Sequence, residues 1–239
     1  MSEPKRVLIT GGVRRLGLSL AKAFAAKGAR LALNYHSSPE EKAETARREV
    51  LHAGASEVTL IKGDVTTEAA RIVAESAKAL GGIDVLINNA GILPPQRPFS
   101  ELSLAEFERT LGLNLLSPFQ VTQAALPFLG KGSTIINLAS LGGMQIWKQR
   151  IDYNVSKSAL ITLTKALARE LAPSGITVNA IAPGAMQLDG EEMGVGLQRI
   201  PLGHYGNGED IAQAAIYLAY YAPYVTGQVI AIDGGRSLT

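Results

Sequence analysis

Tyr153 and Lys157 stand four residues apart in the run Asp152-Tyr153-Asn154-Val155-Ser156-Lys157, a spacing that puts both side chains on one face of a helix. A free phenol has a pKa near ~10, too high for efficient proton exchange at neutral pH. A neighbouring ammonium favours the phenolate and lowers that value. The pair therefore reads as an acid able to protonate a developing alkoxide. Such a spacing also arises by chance, so its meaning depends on its company.

The second chemical group is Thr10-Gly11-Gly12-Val13-Arg14-Arg15-Leu16-Gly17. It follows the apolar run Val7-Leu8-Ile9-Thr10 and opens a helix marked by Leu16, Leu20 and Phe24. Gly11 and Gly12 permit a tight turn, and Gly17 lets the helix begin close to a pyrophosphate. The helix N-terminus then offers free N–H groups and a positive dipole end to the anion. At the end of the second strand the chain reads Asn34-Tyr35-His36-Ser37-Ser38, without the carboxylate that would bind the 2′-hydroxyl of NAD. Arg14 can instead pair bidentately with a 2′-phosphate. Both features favour NADP(H); a solvated surface arginine is the alternative.

The elements that must hold these groups follow from pattern. Leu31-Ala32-Leu33, Val58-Thr59-Leu60-Ile61, Val85-Leu86-Ile87, Thr134-Ile135-Ile136, Ile176-Thr177-Val178 and Val229-Ile230-Ala231-Ile232 read as further strands. Most are uniformly apolar, as parallel strands covered on both faces should be. Helix-compatible stretches near 39–53, 67–80, 104–129, 154–172 and 208–221 alternate with them. The expectation is an α/β fold: one Rossmann-like domain over 1–239, with a doubly wound parallel sheet of about seven strands and helices on both faces. Residues 184–207 interrupt the alternation, rich in glycine and acidic side chains. A segment of that kind is a lid, a binding loop or a solvated loop, and residues 185–206 are expected to cover the substrate. Gly190, Gly194 and Gly196 permit hinging there. Met186, Leu188, Met193, Val195 and Leu197, with Trp147 opposite, would line an apolar pocket; Trp147 fits ordinary core or an interface equally well.

Composition narrows the classes. The chain has 239 residues, 46% of them hydrophobic, a formal charge of +2 and no cysteine. That is enough for one substantial core and excludes disulfides, thiolate nucleophiles and cysteine-bound zinc. The basic residues are scattered, so neither a nucleic acid nor a membrane surface is the expected partner; a small molecule is. Neither a signal peptide nor a transmembrane run is visible, which makes a cytoplasmic protein the expectation. His36, His52 and His204 lack metal-ligand spacing, and no metal is expected in the chemistry.

With these residues in hand, the chain resembles the short-chain dehydrogenase/reductase family from end to end. Thr10 to Gly17, Asn88-Asn89-Ala90-Gly91, Asn114, Ser140, the Tyr153/Lys157 pair and Pro183-Gly184 fall in that family's order and spacing. The resemblance implies that Tyr153 is the catalytic acid or base and that Ser140 steadies the substrate carbonyl. It implies that Lys157 lowers the phenol pKa and holds the nicotinamide ribose, and that Asn114 supports a water-linked proton relay. The implied cofactor contacts are Gly11, Arg14, Arg15, Leu16 and Gly17; Tyr35, His36 and Ser37; Asp64 and Val65 at the adenine; Asn89, Ala90 and Gly91 at the middle; and Tyr153, Lys157, Pro183 and Gly184. A homotetramer or homodimer pairing the helix of the Tyr–Lys motif is also implied. Hydride arriving at a carbonyl carbon leaves charge on oxygen that needs preorganised donors, which Ser140 and Tyr153 supply. Ser140 and Asp64 are also turn formers, and Asn114 can cap or back-bond within its helix.

Within the family two branches compete. Arg14-Arg15-Leu16-Gly17 and Asp233-Gly234-Gly235-Arg236-Ser237-Leu238-Thr239 resemble pteridine reductases, which makes Arg15 a substrate or phosphate contact; a solvated first-turn residue is the alternative. Against that branch, Ile92-Leu93-Pro94-Pro95 lacks the aromatic that sandwiches a flat ring, and Ser140 stands where an aspartate is frequent. Ser140, Asn34-Tyr35 and Thr226-Gly227-Gln228 resemble 3-oxoacyl-thioester reductases. Their acidic acyl carrier protein would dock on a basic rim, for which Lys131, Lys148, Arg150 and Arg169 are candidates, ordinary surface charge being the other reading. The expected activity is NADPH-dependent reduction of a ketone or 3-oxoacyl thioester. A pteridine reductase is the alternative, and a non-catalytic NADPH-binding regulatory protein the remote one.

Overall fold

The computed structural model describes residues 3–188 and 195–239. Its strands are β1 (Arg6–Ile9), β2 (Arg30–Tyr35), β3 (Glu57–Lys62), β4 (Ile83–Asn88), β5 (Leu129–Leu138), β6 (Thr177–Pro183) and β7 (Val229–Ile232). They form one seven-stranded sheet in the order β3-β2-β1-β4-β5-β6-β7, and every pairing is parallel. The helices are α1 (Arg15–Ala25), α2 (Glu40–His52), α3 (Ala69–Leu80), α4 (Leu104–Leu111), α5 (Ser117–Ala125), α6 (Ile151–Leu171) and α7 (Gly208–Tyr220). Among the described residues no helix is long and apolar enough to cross a membrane.

The uniform apolarity of the strands is explained by covering on both faces. Side chains alternate across a strand, so Val7, Ile9, Leu31 and Leu33 meet Leu20 and Phe24 of α1 and Ile211 and Ala215 of α7. On the other face Leu8, Leu86 and Ile135 meet Ile72 and Leu80 of α3, Val121 of α5 and Leu171 of α6. Each fully buried leucine or isoleucine contributes roughly 1.5–3 kcal/mol against exposure. Strand order reverses between β1 and β4, and ligands of doubly wound sheets bind in the crevice outside the carboxyl ends at such a point.

Three local details depart from the sequence reading. The helix expected over 104–129 is two helices: a Ser103/Glu106 capping box starts α4, and a π-helical turn at Gly112–Leu116 separates it from α5. The helix expected from 154 starts at Ile151, which places Tyr153 in its first turn. The segment 184–207 is pinned at both ends, because Met186 bridges Gly206 and Gln187 N–H donates to Gly206 O. Met186 itself packs against the core. Gly190, Met193 and Gly194 lie outside the described residues.

Candidate active site

At the carboxyl end of β1 the chain turns through Gly11 (φ +63°) into α1. A Cβ on Gly17 would stand 2.1 Å from Gly11 O, so only glycine lets the helix begin this close to the turn. Arg14 precedes the helix in extended conformation without capping it, and the first turn holds no acidic residue. The leading N–H groups thus face the crevice as an anion site, with the exposed Arg14 beside them. Arg15 adopts φ +51°, a left-handed conformation that costs a non-glycine residue roughly 1–2 kcal/mol. Leu16 is half-buried next to it.

Thr10 and Asn89 lock this turn to the loop after β4. Thr10 Oγ1 accepts from the N–H groups of Asn89 and Ala90, both at 3.0 Å. Asn89 Nδ2 donates to Thr10 O and Gly11 O at 2.8 and 3.0 Å. These bonds set the spacing of the crevice walls.

At the outer end of the crevice the second-strand residues separate. Asn34 is buried and donates to Ile61 O and Gly63 O at 3.1 and 3.0 Å, so its amide is structural. The Tyr35 ring is buried in the core beside Leu31 and Leu33, and burial pushes its phenol up. Tyr35 thus belongs to the core cluster at the end of β2. The exposed His36 and Ser37 follow, with His36 Nδ1 3.8 Å from Asp64 Oδ2. Asp64 closes its own turn, accepting from Thr66 N–H and Oγ1 at 2.9 and 2.7 Å. Burial alone would raise this carboxyl, but the Thr66 hydrogen bonds and His36 outweigh it and hold Asp64 low. Val65 beside it is buried.

The reactive cluster lies beyond β5. Ser140 Oγ accepts from Gly142 N–H at 3.1 Å, and its hydroxyl is near enough to the Tyr153 phenol to favour the phenolate. Burial raises the Tyr153 pKa, opposed by the Ser140 hydroxyl and by the charge of Arg150. The charge acting on the phenol among the described residues is that of Arg150. Lys157 is buried, donates to Leu138 O at 2.7 Å and is itself lowered to about 8 by desolvation. Its Nζ lies 3.6 Å, and Asn114 Oδ1 3.0 Å, from where a Cβ on Gly91 would stand. A side chain at that position would crowd both groups. Asn114, fully buried on the π-helical turn, is bonded to Ile92 and to Ser156 Oγ. A π-turn at a functional site is a recurrent device; here it faces Asn114 inward without ending the helix. Its amide is thus fully engaged in a clamp.

Pro183 and Gly184 end β6, where Pro183 pairs with Ile232 and Gly184 N–H donates to Ile232 O at 2.9 Å. Trp147 stacks on Tyr153, ring centroids 6.0 Å apart and planes at 18°, which settles its alternative placements in favour of the reactive cluster. Arg236, which the sequence reading used only as a family signature, lies with Cζ 5.2 Å from the Trp147 centroid. Arg150 is the residue that precedes the first turn of α6, where Tyr153 stands; nothing local flags Arg236. A cavity of about 360 Å³ flanks this cluster, lined by Ile92, Leu93, Pro94, Arg109, Thr110 and Asp152. A larger hollow of about 470 Å³ lies by Arg6, Lys78, Gly82 and Leu129, at the amino ends of β1, β4 and β5 and so away from the chemistry. Leu197 is exposed, and Leu188 and Val195 are half-buried.

Comparison with known proteins places this geometry. Residues 12–237 match a family model described as enoyl-(acyl carrier protein) reductase. A 3beta-hydroxysteroid dehydrogenase 1 of Eggerthella lenta is 37% identical, over 98% of this chain and 94% of its own length. A short-chain dehydrogenase of Burkholderia cenocepacia, solved in complex with NADP, superposes with TM-score 0.91 at 32% identity, covering 97% of each chain. A blue fluorescent protein from a metagenomic library, solved in complex with NADPH, superposes with TM-score 0.92 at 34% identity, covering 98% of each chain.

Proposed function

The chain belongs to the short-chain dehydrogenase/reductase family, and we propose that within it this protein is an NADPH-dependent reductase of a ketone or 3-oxoacyl thioester. One observation carries the reading: the Ser140 hydroxyl and the Tyr153 phenol are both buried and near enough for Ser140 to lower the phenol's pKa, where the carboxyl ends of β5 and β6 meet the crevice.

The residues present fit the cofactor. The uncapped start of α1 (Arg15, Leu16, Gly17) would hold the pyrophosphate, and Arg14 the 2′-phosphate, with His36 and Ser37 beside it. Asp64 and Val65 would meet the adenine, Asn89, Ala90 and Gly91 the middle, and Lys157, Pro183 and Gly184 the nicotinamide end. Tyr35 contributes its backbone only. When bound, NADPH supplies a hydride from its nicotinamide C4. The Tyr153 phenol gives its proton to the carbonyl oxygen as charge develops there, and the Ser140 hydroxyl donates a second hydrogen bond to it. The Arg150 charge stabilises the phenolate left behind. Asn114 keeps Ile92, and with it the Gly91 backbone, in place.

The pteridine reading is less well supported, since Ile92 to Pro95 put no aromatic ring over the site. A free carbonyl compound suits the surface better than a carrier-bound thioester. Arg150 is turned inward with Nη1 buried, Lys131 lies near the amino end of β5, and Arg169 is about 24 Å along α6 from Tyr153 at 1.5 Å per residue. These residues do not gather into one rim for an acidic carrier protein. Exposed Leu116, Phe119, Ile151 and Val155 on α5, α6 and the π-turn support pairing of these helices in a homodimer or homotetramer. We read 1–239 as one domain whose segment 185–206 covers the substrate. The decisive variant is Tyr153→Phe: carbonyl-dependent NADPH oxidation should fall by about 10²–10⁴-fold while NADPH still binds. Turnover near the wild-type rate in that variant would sink the assignment.

A further inference from the structure

The reactive cluster carries more positive charge and more unmet donors than reduction of a neutral carbonyl uses. Among buried side-chain atoms without a hydrogen-bond partner are two donors, Arg150 Nη1 and Trp147 Nε1, and one acceptor, Asn154 Oδ1. Trp147 stacks on Tyr153, and the Arg150 charge acts on the phenol from just before the same helix, so both donors belong to the wall around it. Burying such groups unpaired costs free energy that a ligand acceptor would return.

A second guanidinium joins them from the far end of the chain. Arg236 lies over the Trp147 ring, and no ion pair is recorded for it among the described residues. Arg199 is close to it: the Thr239 hydroxyl reaches Arg236 O at 3.0 Å and Arg199 O at 3.5 Å. Burial lowers Arg236 first and the Arg199 charge adds to it, with the Asp233 carboxylate opposing. The nearby carboxylates Asp152 and Asp233 act on Arg150 and Arg236 through space but form no ion pair with either among the described residues, and their oxygens are held by other donors. Asp152 Oδ2 accepts from Thr110 Oγ1 at 2.8 Å, while Asp233 accepts from Gly235 N–H and Ser237 N–H at 3.0 and 2.7 Å.

We propose that the substrate is a carbonyl compound bearing a carboxylate, and that Arg150 Nη1, Trp147 Nε1 and the Arg236 guanidinium read that anionic group. Guanidinium and indole N–H groups supply directional donors to carboxylate oxygens, and a partly desolvated guanidinium holds such an anion more strongly than an exposed one. The indole stacks on the phenol and carries Arg236 over its ring, so the anion site adjoins the reacting carbonyl. This inference rests on the carbonyl-reductase reading above.

The test is binding to the protein loaded with NADP⁺, which requires no turnover. Titration calorimetry compares 4-oxopentanoate, 5-oxohexanoate and 6-oxoheptanoate with their methyl esters. At least one acid should bind about tenfold tighter than its ester or better. In Arg236→Gln and in Arg150→Gln the acid-to-ester ratio should fall toward one, while Arg236→Lys keeps most of it. NADP⁺ affinity in each variant reports that the fold is intact. Equal binding of acids and esters by the native protein, or a ratio that neither glutamine variant changes, overturns the proposal. Failure of every carbonyl to oxidise NADPH would refute the reductase reading separately, leaving the binding ratio to judge the anion site.

Discussion

Asn114 grips Ile92 at both ends: its Oδ1 accepts the Ile92 N–H at 2.9 Å and its Nδ2 donates to Ile92 O at 3.0 Å. The same Nδ2 reaches Ser156 Oγ at 3.1 Å, and Ser156 Oγ donates to Tyr153 O at 2.8 Å. One buried amide therefore couples the loop after β4 to the first turn of α6. The loop carries Gly91 and the turn carries the phenol, so their relative placement depends on a residue that need not touch substrate.

Asn114→Ala removes three hydrogen bonds and leaves the Ile92 peptide group unpaired. The expected cost is about 2–4 kcal/mol in urea-induced unfolding, with a raised KM for NADPH because Gly91 is no longer fixed. A variant that unfolds at the wild-type midpoint would show that the clamp is incidental.

Arg14 is exposed beside the uncapped start of α1, and no carboxylate follows β2. Arg14→Gln should lower kcat/KM with NADPH by about 10–100-fold, the worth of a charge-assisted contact of 1.5–3 kcal/mol, and leave kcat/KM with NADH within about threefold. Steady-state rates with both cofactors decide this. A parallel loss for both would mean that Arg14 holds a feature the two cofactors share.

Lys157 titrates at about 8 in the folded chain, against ~10.4 for an ordinary lysine. Below about 8 both folded and unfolded chains hold the proton, and the cost of burying the ammonium is fully present. Between about 8 and ~10.4 the unfolded chain keeps a proton that the folded chain has released, so stability from this group rises with pH. Relative to Lys157→Met, the native protein should gain about 3 kcal/mol across that window. Unfolding both proteins in urea at pH 7 and pH 10 gives the difference directly; a gap that stays constant contradicts the burial of a titrating ammonium.

Much of this architecture was legible because parallel strands buried on both faces are written as unbroken apolar runs. Val85 to Ile87 and Thr134 to Ile136 lie within strands whose register matches them residue for residue. The turn from Thr10 to Gly17 was legible for a related reason, since a close backbone approach admits no side chain at Gly17. The π-turn was not: hydrophobic spacing near 3.6 continues across Gly112–Leu116, and one extra residue in a turn leaves too small a phase shift to see. The burial of Tyr35 had a signal in the sequence, since strand alternation puts its ring on the same face as Leu31 and Leu33.

Sequence alone determined the parts of the candidate site and their order: a glycine turn, a serine, a tyrosine and a lysine set along alternating strands and helices, because local spacing and burial periodicity are properties of short segments. Only the tertiary structure decided which charges act on which groups. Lys157 is four residues from Tyr153, and its ammonium donates to Leu138 O, while the Arg150 charge acts on the phenol. Arg236 is far from Trp147 in the chain and lies on its ring. Electrostatics depends on distance and burial in three dimensions, and both are set by how β5, β6 and β7 bring their carboxyl ends together.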